Sequence, residues 1–359
     1  MAGGGSTARV APSRPHVAVD GRESPSLAEG ILSLRLHEDV TGLFSCECRF
    51  GNWGAKDGKV TFLYFDRQVL DFGKEITLTL DTDRIFRGRI TGLEAGFPEN
   101  QTPWLTVLAE DRYQDLRMVR RTRTFADVSD SDVFNHVASD HGLTPDVQVS
   151  GPTYRLLAQL NQSDLAFLRD RARTIDAELW MNDSTLSVRS RSDRRGETLT
   201  LGYGNELREF TILADLAGQR SDVTVGGWDV SSKQALAETA GVSLVSGELN
   251  GGQSGSAVLS TALGQRRDSV VASVPLSSRE AQAHAETIYK RMARRFLTGR
   301  GVAETSSKLR VGARVTLQHL GDLFSGEYYV TEVLTTFDDA QGLRTEFAVE
   351  RPALGGSTS

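Results

Sequence analysis

Cysteine is nearly absent from this chain of 359 residues, which contains only Cys46 and Cys48. Two thiols cannot build a disulfide scaffold of the kind that holds small secreted domains together. The two cysteines lie two positions apart, and strand alternation would place both on one face. No second pair of ligands follows at the spacing of a metal site. The sequence therefore predicts two buried thiols rather than a metal centre.

Long apolar runs and an excess of basic charge are also missing. The N-terminus has no apolar segment like that of a secretory signal, and no later stretch approaches the roughly 20 apolar residues of a membrane-spanning helix. We therefore expect a soluble protein that is made in the cytoplasm. The 41 basic residues face 47 acidic residues, for a net charge of −6. This balance argues against charge-driven binding to nucleic acid or to an anionic membrane.

The motifs of the common enzyme classes are absent as well. Six histidines are scattered along the sequence, and none belongs to a His-Glu-x-x-His zinc motif. Residues 252–256, Gly-Gln-Ser-Gly-Ser, lack the final glycine of a nucleophile elbow, and no Walker loop or dinucleotide fingerprint occurs. The carboxylate pairs Asp81 with Asp83 and Asp338 with Asp339 fall where hairpin turns are expected. The sequence predicts no enzyme, no cofactor and no metal ion.

Alternating strands occupy the first third of the chain. After a tail rich in glycine and serine over residues 1–14, apolar side chains recur at every second position around residues 32–36, 44–50 and 76–80. Short alternating segments separated by Gly, Asp and Asn clusters are typical of an antiparallel sandwich or barrel. We therefore predict a first β-barrel over residues 15–117.

Helical spacing of apolar residues follows over residues 118–206. Ser129 begins a capping box ahead of one helix, and Ser163 caps a second helix over residues 163–175. Two short strand patterns come next, around Leu179 and Leu186. These elements predict a small α+β domain inserted between two β segments.

Strand patterns return over residues 207–352, which we predict to form a second β-barrel. A stretch rich in glycine, serine and alanine, about residues 240–265, is predicted to be a mobile loop. A capping box that begins at Ser277 starts a helix about residues 278–298, which would cover the barrel. A C-terminal tail is predicted over residues 353–359.

Three segments of the first predicted barrel recur in the same order in the second. Residues 73–78, Gly-Lys-Glu-Ile-Thr-Leu, match Gly-Ala-Arg-Val-Thr-Leu at residues 312–317. A Phe-x-Gly hairpin and a strand that begins with threonine follow in both places. Agreement in order and spacing favours two copies of one barrel over chance similarity between β-hairpins. Two similar barrels in each chain would let three chains form a ring with approximate six-fold symmetry.

Several motifs resemble those of phage late control gene D proteins and of VgrG spikes. In the insert they are Thr-Phe-Ala-Asp-Val-Ser-Asp-Ser-Asp-Val at residues 124–133, His-Gly-Leu at residues 141–143 and Asn-Gln-Ser-Asp-Leu-Ala-Phe-Leu-Arg-Asp-Arg at residues 161–171. Near the end they are Leu-Arg-Val-Gly at residues 309–312 and Phe-Ser-Gly-Glu-Tyr-Tyr-Val at residues 324–330. Together they span nearly the whole chain.

This resemblance implies the baseplate hub of a contractile injection device, whether a phage tail, a tailocin, an extracellular injection system or a type VI system. In that family the hub is a homotrimer that joins the hexameric inner tube to the trimeric spike. The implied fold is mainly β, with two tube-protein-like antiparallel β-barrels flanking a small α+β domain.

The resemblance also implies partners: two further copies of the chain, the inner tube protein, a separate spike protein and other baseplate or wedge proteins. The spike is expected to be a separate polypeptide, because VgrG chains continue into an OB-fold and a β-helical needle that have no counterpart in this sequence. Assembly in the cytoplasm and incorporation into a baseplate are expected. A tail-tip receptor-binding protein and a tail-associated peptidoglycan hydrolase stay open as alternatives.

The work of such a hub would be done by its surfaces. Hairpins at barrel ends, linkers and helix ends are the parts that neighbouring chains can reach. On that basis the predicted interface residues are Arg87, Arg89, Arg120, Arg121, Arg123, Arg294, Arg295, Phe324, Tyr328 and Tyr329. Two alternatives remain for these arginines. Arg120, Arg121 and Arg123 could belong to a solvated linker, and Arg294 and Arg295 could simply be compatible with a helix C-terminus.

Overall fold

The structure is a computed structural model that describes residues 14–230, 232–272 and 277–356. These residues form two compact units. The first unit contains residues 14–36, 45–109 and 335–345, and the second unit contains residues 37–44, 110–334 and 346–356. Nearly all of the predicted N-terminal tail, residues 1–14, lies outside the described residues.

Antiparallel strands make up most of the first unit. Strand β1 pairs with β2 and with β7, β7 pairs with β8, and β5 pairs with β6, all in antiparallel register. Strands β3 and β4 each have an end in the second unit. The elements are β1 (His16–Val19), β2 (Arg22–Glu23), α1 (Pro25–Glu29), β3 (Ile31–Asp39), β4 (Phe44–Gly51), β5 (Gly54–Lys56), β6 (Lys59–Thr61), β7 (Glu75–Leu80), β8 (Asp83–Gly96) and β9 (Trp104–Glu110).

Strand β4 shows how alternation builds the core of the first unit. Cys46, Cys48 and Phe50 are buried, whereas Glu47 between the two cysteines is exposed. Both thiols are free, and burial raises the pKa of each. The prediction of two buried thiols on one face of a strand is confirmed.

The α+β part of the second unit begins after β9. Helices α3 and α4 pack with a three-stranded sheet in the order β11-β14-β13, and β10 pairs with β12 in a separate antiparallel ribbon. The apolar residues at helical spacing, Val133, Phe134, Leu165 and Leu168, are all buried in one core. The elements are α2 (Tyr113–Arg117), β10 (Arg120–Ser129), α3 (Asp130–Asp140), β11 (Thr144–Gln148), β12 (Thr153–Ser163), α4 (Asp164–Thr174), β13 (Ala177–Asn182) and β14 (Thr185–Ser190).

The remaining β elements of the second unit surround two further cores. One core lies among β15, β16, β21, β22, β23 and β24, and the other lies between α6 and the β17–β18 pair. The elements are β15 (Thr198–Gly202), β16 (Leu207–Ala214), β17 (Asp222–Asp229), β18 (Gln234–Gly241), a 3-10 helix (Val242–Glu248), β19 (Gln253–Ser254), α5 (Gly255–Leu263), β20 (Arg267–Val271), α6 (Ser278–Arg294), β21 (Leu297–Ala303), β22 (Arg314–Gln318), α7 (Gly321–Phe324), β23 (Gly326–Asp338), β24 (Gly342–Arg351) and β25 (Ala353–Leu354).

Helix starts follow the predicted capping chemistry. At Ser129 and at Ser277 the hydroxyl accepts the backbone N–H three residues later, and the acidic side chain there accepts the serine N–H in return. Ser163 accepts the N–H of Ala166 at 3.2 Å. These reciprocal bonds satisfy backbone donors that a helix start otherwise leaves unpaired.

Three predicted boundaries are wrong. The loop predicted about residues 240–265 contains the 3-10 helix and α5, because Ser254 caps α5 and Leu259 is buried at 2% exposure. The helix predicted over residues 278–298 ends at Arg294, since β21 starts at Leu297. The predicted tail 353–359 begins with β25, which pairs with β19, and Ala353 is fully buried.

The internal repeat reappears as a repeated set of hydrogen bonds. In the first unit Gly73 donates its N–H to the carbonyl of Ile90 at 2.8 Å, and Ile90 donates to Lys74 at 2.9 Å. In the second unit Gly312 donates to Val330 at 3.0 Å, and Val330 donates to Ala313 at 3.0 Å. Both glycines have positive φ, +79° and +90°. The two sequence copies therefore fold into the same local strand pairing.

The predicted fold class is confirmed, because the chain is mainly β with large antiparallel sheets. The α+β elements follow the first β segment in sequence and precede the second.

Candidate functional site

Two of the predicted interface arginines on β10 are partners of a buried carboxylate, although the side chain of Arg121 is itself 41% exposed. Asp164, at the start of α4, has a side chain only 1% exposed. Three nitrogen atoms lie within ion-pair distance of its carboxylate oxygens: Arg121 Nε at 3.0 Å, Arg123 Nη2 at 2.9 Å and His141 Nε2 at 2.7 Å. Burial on its own would raise the pKa of Asp164, but these donors and charges outweigh it and lower that pKa. Arg121 and Arg123 thus hold the ribbon against α4, and Arg120 is exposed.

Three other predicted interface residues lie inside the second unit. Arg294, Tyr328 and Tyr329 are 3%, 1% and 6% exposed, so they cannot contact a partner from these positions. The two tyrosines are adjacent on β23 and point to opposite faces, both of which are covered. Tyr328 donates its hydroxyl to the carbonyl of Phe324 at 2.6 Å, and Tyr329 donates to Glu178. Their assignment to an interface is therefore corrected to a core role.

The remaining candidates reach solvent to different degrees. Arg87 and Arg89 lie on the exposed side of β8, where Arg87 Nε is 2.9 Å from Glu75 Oε2. Arg295 is 72% exposed on its side chain, and Phe324 is partly buried. Arg87, Arg89, Arg120, Arg121 and Arg295 therefore lie at the surface.

The predicted turn aspartates are turn residues. Asp81 has φ +52° between β7 and β8, and Asp338 Oδ1 accepts the N–H groups of Ala340 and Gln341 at 2.8 and 2.7 Å. Asp339 forms an ion pair with Arg14. Within the described residues no group of three or more His, Cys, Asp or Glu side chains is placed to hold a metal ion.

A buried ionic network joins β13, the segment after β14 and β23. Glu178 accepts Arg191 Nε at 2.9 Å, Arg194 Nη1 at 3.0 Å and the hydroxyl of Tyr329. Burial favours the neutral form of Glu178, but the charges of Arg191 and Arg194 outweigh it and lower the pKa of that carboxyl. Arg191 also reaches Glu350 on β24 at 2.5 Å. This network ties the α+β part of the second unit to its β part.

An open cavity of about 280 Å³ lies beside this network in the second unit. Six guanidinium groups and three carboxylates line it. The carboxylates belong to Asp176, Glu178 and Glu350. The arginines are Arg169, Arg173, Arg191, Arg291, Arg294 and Arg295. We call it the arginine cavity. Sequence reasoning singled out Arg291, Arg294 and Arg295, which follow one another closely near the end of one helix. It could not add Arg169, Arg173 and Arg191, because these lie about 100 or more positions away and join the group only through folding.

An exposed aromatic cluster marks the first unit. Trp53, Phe62, Phe65 and Phe97 contact one another with ring centroids 4.8 to 6.1 Å apart. Trp53, Phe62 and Phe97 are 45%, 38% and 65% exposed. Single exposed apolar residues are common, but a group of contacting exposed rings indicates an interaction surface. Sequence reasoning missed this cluster, since its members lie in segments without clear alternation.

The chain matches the model of one protein family, described as the Alg8 N-terminal domain, over residues 16–339. No curated protein matches the chain in sequence. None of the helices in the described part of the chain is long and apolar enough to cross a membrane.

Solved structures with a similar fold include two tail proteins. A 43 kDa tail protein of prophage MuSo2 from Shewanella oneidensis is 12% identical, with a TM-score of 0.67 over 94% of this chain and 98% of its own. A tail protein from Neisseria meningitidis is 15% identical, with a TM-score of 0.66 over 94% of this chain and 96% of its own.

A third similar structure comes from Escherichia coli. It is a component of the type VI secretion system and is described as structurally similar to tail proteins of bacteriophage T4. It is 12% identical, with a TM-score of 0.59 over 93% of this chain and 76% of its own. At these identities the likeness shows a shared fold.

Proposed function

The chain belongs to the family of the Alg8 N-terminal domain. From its fold, which is shared with tail proteins and a type VI secretion component, we propose that it is a structural baseplate protein of a phage tail or contractile injection system. More specifically, we propose that it is the hub, a homotrimer that joins the hexameric inner tube to the trimeric spike. The proposed partners are two further copies of the chain, the tube protein, the spike protein and other baseplate proteins.

The repeated strand pairing is the observation that carries the hub proposal. Gly73 with Ile90 and Gly312 with Val330 make the same pair of hydrogen bonds, in the same order along the chain. A chain with two copies of one β motif presents six such motifs when three chains close into a ring. A ring of that kind would match a six-fold partner on one side and a three-fold partner on the other. The duplication thus supplies the feature that an adaptor between these symmetries requires.

The exposed aromatic cluster supports a role in assembly. Aromatic side chains are enriched in protein–protein interfaces, where they bury large areas with little loss of conformational freedom. We propose that Trp53, Phe62, Phe65 and Phe97 contact another baseplate protein in the particle. The exposed arginines Arg87, Arg89, Arg120, Arg121 and Arg295 remain proposed contacts with acidic partner surfaces.

A pair of variants tests this role. Phe97→Glu places a charge in the aromatic cluster, whereas Phe72→Glu changes a phenylalanine that is 54% exposed and outside that cluster. We expect the first variant to fold normally yet fail to enter particles assembled with the tube and spike proteins, and the second to be incorporated. Equal incorporation of both variants would contradict the proposed contact. Light scattering on the purified chain would show directly whether it forms the proposed trimer.

The proposed role needs no catalytic step. A zymogram with the purified chain distinguishes it from the peptidoglycan hydrolase alternative, because cleavage of cell-wall material would favour that alternative. Binding of the purified chain to intact target cells would favour the receptor-binding alternative.

A further inference from the structure

The arginine cavity brings together charges from distant parts of the sequence. Arg169 and Arg173 lie one turn apart on α4, Arg291 lies near the end of α6, and Arg191 follows β14. Guanidinium groups of like charge repel one another, and the repulsion grows as water is excluded. A cluster of this kind therefore needs negative charge nearby, from the protein or from a ligand.

The protein supplies that charge for only part of the cluster. Arg294 is saturated by Asp176 and Glu248, with N–O distances of 2.7 to 3.1 Å. Arg191 shares Glu178 and Glu350. The three carboxylates of the lining are thus already engaged, while six arginines line the cavity. The local excess of positive charge is opposite in sign to the net charge of −6 on the whole chain.

Among the described residues, Arg291 has no carboxylate of its own in the cavity. It makes no ion pair with any residue that the structure describes, and its side chain lines the cavity. Burial, followed by the positive charge of Arg173, lowers its pKa. Among the residues that the structure describes, Arg173 itself pairs with the half-exposed Asp170 alone, at 3.2 Å. These two guanidinium groups have donors free for a ligand in the cavity.

Arg169 adds a donor that the protein leaves unsatisfied. Its Nε donates to the carbonyl of Thr41 at 2.9 Å, but its Nη2 is buried and has no acceptor among the described residues. Burial is also the main cause that lowers the pKa of Arg169. A buried charged donor without an acceptor is costly, so its presence calls for an explanation such as a bound anion.

We propose that the arginine cavity is a binding site for a multivalent oxyanion, a phosphate or polycarboxylate group, held by Arg173 and Arg291 beside the unsatisfied Nη2 donor of Arg169. Guanidinium groups are planar donors that bind carboxylate and phosphate through two parallel hydrogen bonds. The volume of about 280 Å³ admits a small polyanion or the end of an acidic side chain. The inference does not rest on the proposed baseplate role.

Calorimetric titration of the full chain with sodium pyrophosphate tests the site, at about 50 mM salt so that charge interactions are weakly screened. We expect one pyrophosphate per chain. Arg291→Gln should weaken binding by about tenfold or more, the loss expected for a charge-assisted hydrogen-bond pair. Arg279→Gln, an exposed arginine on the same helix but outside the lining, is the matched control and should bind like the unchanged chain.

Two further arms identify the source of the anion. Citrate tests a free polycarboxylate, and a hexaglutamate peptide tests an acidic segment of a protein. If either probe binds the unchanged chain and fails to bind Arg291→Gln, the result supports the site. The probe that binds most tightly indicates the chemical class of the natural anion. Should Arg291→Gln fold poorly, Arg173→Gln on α4 serves in its place. The proposal is overturned if none of the three probes binds the unchanged chain, or if Arg279→Gln weakens binding as much as the cavity variant.

Discussion

Arg294 and Asp176 form a buried ion pair in which one guanidinium nitrogen, Nη1, donates to both carboxylate oxygens at 2.7 and 2.8 Å. The other edge of the same guanidinium binds Glu248 at the end of the 3-10 helix. Arg294 therefore connects α6 to Asp176, which follows α4, and to the 3-10 helix. This saturation explains why an arginine near the end of a helix is not on the surface.

Breaking this ion pair should destabilise the second unit strongly. Arg294→Ala leaves the Asp176 carboxylate buried without its partner, and the loss of one member of a buried pair costs about 3–5 kcal/mol. Urea unfolding measures the change in the free energy of unfolding. Arg295→Ala, the neighbouring residue with a 72% exposed side chain, should change it by no more than about 0.5 kcal/mol. Similar losses in both variants would contradict the assigned role of Arg294.

The two repeated glycines predict unequal costs for the same substitution. Gly73 and Gly312 both have positive φ, so alanine at either position is strained by roughly 1–2 kcal/mol. A Cβ at Gly73 meets nothing within 4 Å, whereas a Cβ at Gly312 would lie 2.2 Å from Arg194 Nε. Arg194 cannot move away freely, because it is bound to Glu178 at 3.0 Å and to the carbonyl of Val311 at 2.6 Å.

Gly312→Ala should therefore destabilise the chain by about 1–3 kcal/mol more than Gly73→Ala, the usual cost of overpacking. Thermal unfolding of the two variants side by side measures the difference. Equal losses of stability in the two variants would mean that Arg194 moves away from the new Cβ without destabilising the chain. The Glu178 network would then be less rigid than proposed.

Asp111 predicts a pH dependence of stability. Burial raises the pKa of this carboxyl to about 8, although it accepts the N–H groups of Tyr113 at 3.0 Å and Phe44 at 3.2 Å. In the unfolded chain the pKa is about 3.9, so between about pH 4 and pH 8 the folded state binds a proton that the unfolded state has released. The contribution of Asp111 to stability is therefore greatest below pH 4 and is lost as the pH rises through 8.

Asp111→Asn removes this titration. In the unchanged chain the group lowers the free energy of unfolding by up to about 1.4 kcal/mol per pH unit within that window. The variant should show a flatter dependence, measured by urea unfolding at several pH values from 5 to 9. Asp322→Asn, an exposed aspartate, should leave the slope unchanged. If the free energy of unfolding depends on pH equally in Asp111→Asn and in the unchanged chain, the Asp111 carboxyl is ionised in the folded state and the prediction is wrong.

Features set by local sequence were predictable. The capping boxes at Ser129 and Ser277 depend on residues three apart, and alternation in β4 depends on neighbours two apart. The repeat was visible because Gly73 and Gly312 need positive φ, which other residues adopt only under strain. In each case one short segment contains the whole physical cause.

Features set by tertiary packing were not predictable. Composition suggested a loop where α5 forms, because the helix consists mainly of small residues around Leu259, whose buried side chain anchors it. Tyr328 and Tyr329 were expected at a surface, yet β23 is covered on both faces by parts of the chain more than 100 residues away. The arginine cavity likewise exists only once α4 and α6 meet.

A cryo-EM map of an assembled particle would show whether three copies of this chain form the proposed ring between a tube and a spike. We expect a three-fold ring in which the strand pairs that contain Gly73 and Gly312 alternate at six similar positions and face the hexameric tube. A chain found as a monomer at the particle periphery, or in six copies with only one hairpin of each facing the tube, would contradict it.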